Sequence, residues 1–172
     1  MYCCMTWKGK LVLFFTSILI CVELVFYLLG LKVSVNISPS LPYKFFIVDT
    51  REDKIKNIKN GDFIQFRNRN TKYYNGINIT KQILAKSGDV LEVNSFELPK
   101  NNVQGTIRFK NIILEVKDKS MFGTKMSMND VITIPDNKFF VIGFDKNSFD
   151  SRYKEFGLID ELEVIGVAKP LF

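Results

Sequence analysis

The chain has 172 residues, a mass of 19.9 kDa and a formal charge of +6, room for one domain of ordinary size. It contains no histidine, and its three cysteines, Cys3, Cys4 and Cys21, all lie near the N-terminus. This excludes Ser-His-Asp and Cys-His catalysis, His/Cys zinc sites and a disulfide-built body, leaving hydroxyls, amines and carboxylates for chemistry and calling for no metal and no cofactor.

In chain order, Leu11–Leu31 is apolar except for Glu23 and lacks proline. At about 1.5 Å per residue it covers about 30 Å, the hydrocarbon thickness of a bilayer, and predicts a transmembrane helix. A cleavable signal peptide has a shorter apolar region and a small-residue cleavage site, which is missing after Leu31. Lys8 and Lys10 precede the span, so the positive-inside tendency keeps the N-terminus in the cytoplasm and exports the rest. The expected division is 1–32 for the N-terminus and anchor and 33–172 for the exported domain. Glu23 within the span marks either a partner helix or a protonated or snorkelling carboxylate. Residues 33–172 carry 21 basic and 17 acidic side chains, interleaved rather than gathered in a stripe. That pattern suits a solvated surface near anionic lipid and argues against a nucleic-acid partner.

Beyond the span, segments rich in β-branched and aromatic residues occur at Phe45–Val48, Phe63–Phe66, Ile77–Ala85, Val90–Val93, Ile107–Val116, Val131–Ile134, Phe139–Gly143 and Glu163–Ala168. None sustains a helical period, so the expected fold is mainly β and antiparallel. Arg51–Asn60 and Arg67–Asn75 read as polar linkers, Asn60-Gly61-Asp62 as a turn, and Lys117–Asp130 as a surface loop with the makings of a lid.

Three pieces carry the chemistry. Just past the anchor comes Asn36-Ile37-Ser38-Pro39-Ser40-Leu41-Pro42, in which two prolines forbid a helix and hold their neighbours extended. Such a segment can present a hydroxyl or serve as a linker. In the Ile77–Ala85 segment, strand alternation puts Lys81 on one face with Ile77, Ile79, Ile83 and Ala85. A lysine kept dry there loses its charge more easily and can take a proton from serine; at a sheet edge it snorkels to water instead. The third piece is Phe139–Gly143 followed by Asn147-Ser148-Phe149-Asp150-Ser151-Arg152-Tyr153, a strand running into a turn with a hydroxyl, a carboxylate and a guanidinium at alternate positions.

In order and approximate spacing these pieces resemble the signal peptidase I superfamily from about Asn36 to Phe172: SLP beyond an anchor, KQILAKSGD with Lys81 and Gly88-Asp89, and SFDSRY after a strand ending in glycine. The N-x-(S/T)-x-S-x-P motif, Ser148–Tyr153 and the closing Gly166-Val167-Ala168-Lys169-Pro170-Leu171-Phe172 are more similar to the TraF-type conjugative-transfer peptidases. The resemblance implies an antiparallel signal-peptidase-like domain with Ser40 as nucleophile and Lys81 as general base. It implies Ser38 and the Ser40 amide as the oxyanion hole, Ser148 as the residue orienting the lysine, and Asp150 with Arg152 as a supporting ion pair. Departures from the pattern are Lys44, Phe46, Gln82, Lys86-Ser87 and an apparent insertion of Lys154-Glu155.

The expected activity is that of a membrane-bound serine endopeptidase of the bacterial cytoplasmic membrane, acting on its outer side through an acyl-enzyme. Its expected clients are exported precursors with small residues before the cut, pilin or conjugation-apparatus components among them. The alternatives are a general leader peptidase and a catalytically silent scaffold of a secretion complex. Asn36-Ile37-Ser38 and Asn78-Ile79-Thr80 match the glycosylation sequon, and a glycan at Asn36 would crowd Ser40, which favours a bacterial compartment. Leu41, Phe45 and Phe46 are expected to pack in the core rather than dip into lipid.

Overall fold

The structure is a computed structural model that describes residues 6–67 and 76–171. Most of the Arg67–Asn75 linker, Cys3, Cys4 and Phe172 lie outside these residues. Helix α1 spans Trp7–Leu28 and is long and apolar enough to cross a membrane; none of its residues is buried in the protein. It begins and ends earlier than Leu11–Leu31. Thr6 Oγ1 caps the start by accepting from the Gly9 amide. Gly30 stops the helix at φ +67°, and a Cβ there would press on the Arg51 side chain at 2.9 Å. Leu31 then opens strand β1 (Leu31–Val35), which the sequence reading missed because it assigns Leu31 to the span and residues 33–35 only to the start of the exported part.

β1 pairs with β2 (Phe45–Asp49); a short helix α2 (Glu52–Lys56) interrupts the first expected linker; β3 (Phe63–Arg67) and β4 (Asn78–Lys86) follow. Next come β5 (Glu92–Lys100), β6 (Val103–Phe109), β7 (Ile112–Lys117), β8 (Lys138–Ile142), β9 (Ile159–Asp160) and, after a 3₁₀ turn at Glu161–Glu163, β10 (Val164–Pro170). Among the described residues one sheet has the order β1-β2-β10-β3-β4-β8-β9 and a second the order β5-β6-β7, every pairing antiparallel. The architecture is mainly β, with the single apolar helix at its N-terminal end, as expected.

Two segments differ from the sequence reading. Ile107–Val116 is not one strand: it folds at Lys110-Asn111, where Lys110 takes φ +53°, into the β6–β7 hairpin, a turn without the usual glycine. Val131–Ile134 forms no strand and meets Val90 only through one isolated bridge at Thr133. The Val90–Val93 strand starts later, at Glu92, and runs on to a hairpin turn at Asn101-Asn102, both at positive φ. Asn60-Gly61-Asp62 is a turn, with Gly61 at φ +95°.

The central strands β4 and β8 are buried on both faces. Ile64, Ile83, Phe139, Val141 and Ile159 pack on one side. Leu84, Ala85 and Phe140 pack on the other with Ile107 and Val116 of the smaller sheet. The register slips between Ile83 and Ala85, a bulge that leaves Leu84 and Ala85 together opposite Phe140. Ala85 therefore does not share the Lys81 face, contrary to simple alternation. Leu41 and Phe46 are buried with Val48 and Ala168, as expected for core residues, whereas Phe45 is only half-buried and outside that cluster.

Candidate active site

Residues 36–44 leave β1 and return into β2 without regular structure, and Asn36 organises the excursion. Its Nδ2 donates to the carbonyls of Ser38 (2.9 Å), Tyr43 (3.0 Å) and Leu41 (3.4 Å), while its Oδ1 accepts from the Ser38 amide at 3.1 Å. This is the self-bonding turn chemistry of asparagine, and it bends the segment where extended backbone was expected. The fold leaves Ser40 buried and Ser38 exposed. Ser38 Oγ donates to Ser40 Oγ at 2.9 Å and accepts from the Ser40 amide at 3.2 Å. The Ser40 carbonyl accepts from the Phe144 amide at 2.7 Å, which ties the serine to the turn after β8.

Lys81 lies in the middle of β4, opposite Ile64 of β3 and on the face of Ile79 and Ile83. It is only 3% exposed, so the snorkelling alternative does not hold. Its Nζ donates to Ser148 Oγ at 2.7 Å. Burial lowers its pKa from 10.5 to about 8; Asp150 and Asp145 oppose that fall and Arg152 adds to it. Loss of hydration at the ammonium therefore outweighs the nearby carboxylates.

The turn 143–152 is held from within. Asp150, fully buried, accepts from the Gly143 amide at 2.8 Å and from Arg152 Nε and Nη2 at 2.8 and 2.9 Å. Arg152 also donates to the carbonyls of Ser148, Asp145 and Glu115. Burial works against the Arg152 charge, but the hydrogen bonds and charge of Asp150 hold its pKa above the usual value. Ser151 bonds Val141 through both its amide and its hydroxyl, fastening the turn to β8.

A cavity of about 450 Å³ opens onto this group, lined by Ser38, Ser40, Lys81 and Ser148 together with apolar Met126 and Phe149. The Lys117–Asp130 loop supplies part of the wall, and its residues Met126 and Asn129 are buried. The structure thus brings Ser38, Ser40, Lys81 and Ser148 to one cavity and sets Asp150 and Arg152 beneath them. The lysine's hydrogen bond goes to Ser148, whereas Ser40 Oγ takes its bond from Ser38. The sequence reading named Asn36 and Gly143 within motifs but gave neither a role in shaping the site. An Asn two residues before a serine is an Asx-turn signal, and a glycine closing a β-strand marks close backbone approach.

Comparison with known proteins bears directly on this arrangement. The chain is similar to the inactive signal peptidase IA of Staphylococcus aureus strains MRSA252 and COL, at 32% identity over 122 residues in each, covering 70% of this chain. The match spans 63% of the length of those relatives. The family model for signal peptidase, peptidase S26, matches residues 6–172. A mainly β domain following one apolar helix, with this match along nearly all of its length, makes the chain a member of the peptidase S26 signal peptidase family.

Proposed function

We propose that this chain is a membrane-anchored serine endopeptidase that uses Ser40 and Lys81 to cut exported precursor proteins through an acyl-enzyme. The observation that carries the reading is the dry amine of Lys81, aligned by Ser148 in the same cavity as the Ser40 hydroxyl. The neutral amine takes the Ser40 proton as Oγ attacks the scissile carbonyl, and returns it to the leaving amine as the ester forms. Water then attacks the ester and regenerates Ser40. Ser38 Oγ and the Ser40 amide, now bonded to each other, turn to the oxyanion when the substrate's oxygen displaces that bond. Asp150 and Arg152 keep the 143–152 turn in shape, so that Ser148 stays within reach of Lys81.

Residues 1–32 serve in this reading as a cytoplasmic N-terminus and single-pass anchor in the bacterial inner membrane, and 33–172 as the peptidase domain on its outer face. Anchoring confines enzyme and membrane-held precursor to one thin layer and raises their effective concentration. The substrates carry small residues before the cut. The motif at Asn36–Pro42, the Ser148–Tyr153 run and the Gly166–Leu171 ending support a conjugative-transfer peptidase acting on pilin or conjugation-apparatus precursors.

A silent scaffold is the second reading, favoured by the relatives whose name says that they are inactive. Incubating the purified full chain with a serine-acylating penem and with a precursor separates the two. The peptidase reading expects a covalent adduct on Ser40 and cleavage that Ser40→Ala abolishes. Absence of both in the wild type overturns it.

A further inference from the structure

Lys119 and Lys125 face each other across an isolated antiparallel bridge and close a tight turn at the rim of the cavity. The Ser120 amide donates to the Thr124 carbonyl at 2.8 Å, and Ser120 Oγ accepts from the amides of Phe122 and Thr124, each at 3.2 Å. Gly123 supplies the required φ of +77°. The turn's backbone is thus well satisfied, while its side chains are not. Phe122 is 94% exposed and Met121 73%, although both line the cavity that holds Ser40 and Lys81. The two lysines are exposed, and neither has an ion-pair partner among the described residues. Like charges directly opposite on paired strands repel, and a bare phenylalanine stays in water. An apolar group carrying adjacent negative charge would relieve both at once.

The base of the loop is clamped, which fits a surface shaped before its ligand arrives. Gln104 Nε2 donates to the carbonyls of Lys117 and Met126 at 2.8 and 3.0 Å. Lys154 and Glu155, the two residues that interrupt the motif after Tyr153, hold the far end. Glu155 accepts from the Ser127 amide at 2.9 and 3.1 Å, the Lys154 amide donates to the Ser127 carbonyl, and Lys154 Nζ reaches Asp130 at 2.7 Å.

We propose that this turn reads the precursor segment just after the cut, with Met121 and Phe122 covering an apolar side chain and Lys119 and Lys125 pairing with carboxylates beside it. The inference rests on the peptidase reading and names its substrate class. The stretch before the cut of an exported precursor is apolar and held in the membrane, so charge at the cavity rim comes from the residues that follow.

The test uses the full-length chain in neutral detergent, carrying Ser40→Ala so that peptides survive. Two labelled peptides share an apolar segment ending in Ala-Gln-Ala and continue with either Leu-Asp-Asp or Leu-Lys-Lys; binding is read by fluorescence anisotropy. The acidic peptide is expected to bind about tenfold tighter, and added salt to shrink the difference. Lys119→Glu with Lys125→Glu should invert the preference, and Phe122→Ala should weaken both peptides. Equal affinities, or a preference that survives charge reversal, overturn the proposal. A charge reversal that alters only adsorption to phosphatidylglycerol vesicles, with peptide choice unmoved, also overturns it and assigns the turn to the bilayer. Failure of the wild type to cleave either peptide counts against the peptidase reading alone, because the binding preference is measured without cleavage.

Discussion

Gly143 and Ser148 approach so closely that a single Cβ on the glycine would fall where the serine hydroxyl now sits, and would also press on the Ser40 carbonyl at 2.9 Å. The same hydroxyl accepts the hydrogen bond of Lys81. A backbone position with no side chain therefore links Ser40, Ser148 and, through Ser148, Lys81. Gly143→Ala is expected to lower precursor cleavage by at least about a hundredfold, the cost of misplacing reacting groups by about 1 Å. Steady-state cleavage by the purified variant, with circular dichroism to confirm folding, checks this.

The buried amine sets a pH dependence for activity and another for stability. Only neutral Lys81 can accept the Ser40 proton, so cleavage should rise with pH through about 8 and level off above it. Lys81→Arg should remove this limb along with activity.

For stability, the folded pKa lies below that of the unfolded chain, so between about 8 and 10.5 the unfolded chain holds more protons. Stability from this group therefore rises with pH across that window, and the penalty of burying the ammonium is full below it. Lys81→Met should stabilise the fold at pH 7 by up to about 3 kcal/mol, with the gain fading toward pH 10.5. Urea denaturation at several pH values measures it.

The Ser38 hydroxyl bonds both the amide and the hydroxyl of Ser40, and Ser38 itself is exposed. Ser38→Ala should leave thermal stability nearly unchanged and lower kcat by about 100- to 1000-fold, the loss of one oxyanion donor. A fall in KM-controlled binding alone, with kcat intact, would remove Ser38 from the oxyanion hole.

Arg152 lies 3% exposed against a fully buried carboxylate. Arg152→Met strands Asp150 without its counter-charge and should cost about 3 to 5 kcal/mol in chemical denaturation. Arg152→Lys keeps the charge but not the fork that reaches Asp150 and three carbonyls, and should recover only part of that loss.

Much of this molecule is legible in the order of its residues. The apolar run before Lys32, the strand-like composition of the body, the proline-flanked serine and the lysine among isoleucines are local patterns, and local patterns reflect backbone sterics and the period of hydrophobic burial. The absence of histidine, with the three cysteines confined to the N-terminal 21 residues, narrows the chemistry of the body to hydroxyls, amines and carboxylates. The boundary of α1 and the course of Ile107–Val116 were less visible, because Gly30 lies within the apolar run and the turn at Lys110 takes its positive φ without a glycine to mark it.

What only the tertiary structure decided is the environment of each group. Whether Lys81 is wet or dry depends on β3, β8 and the 143–152 turn closing around it from separate parts of the chain, and desolvation is a property of that enclosure rather than of any stretch of sequence. Likewise, the bulge in β4 overturned simple alternation at Ala85, and the pairing of Lys119 with Lys125 at the cavity rim emerged only once the loop was folded back on itself. Sequence named the hydroxyls, the amine and the ion pair; long-range packing determined their distances and therefore what they can do.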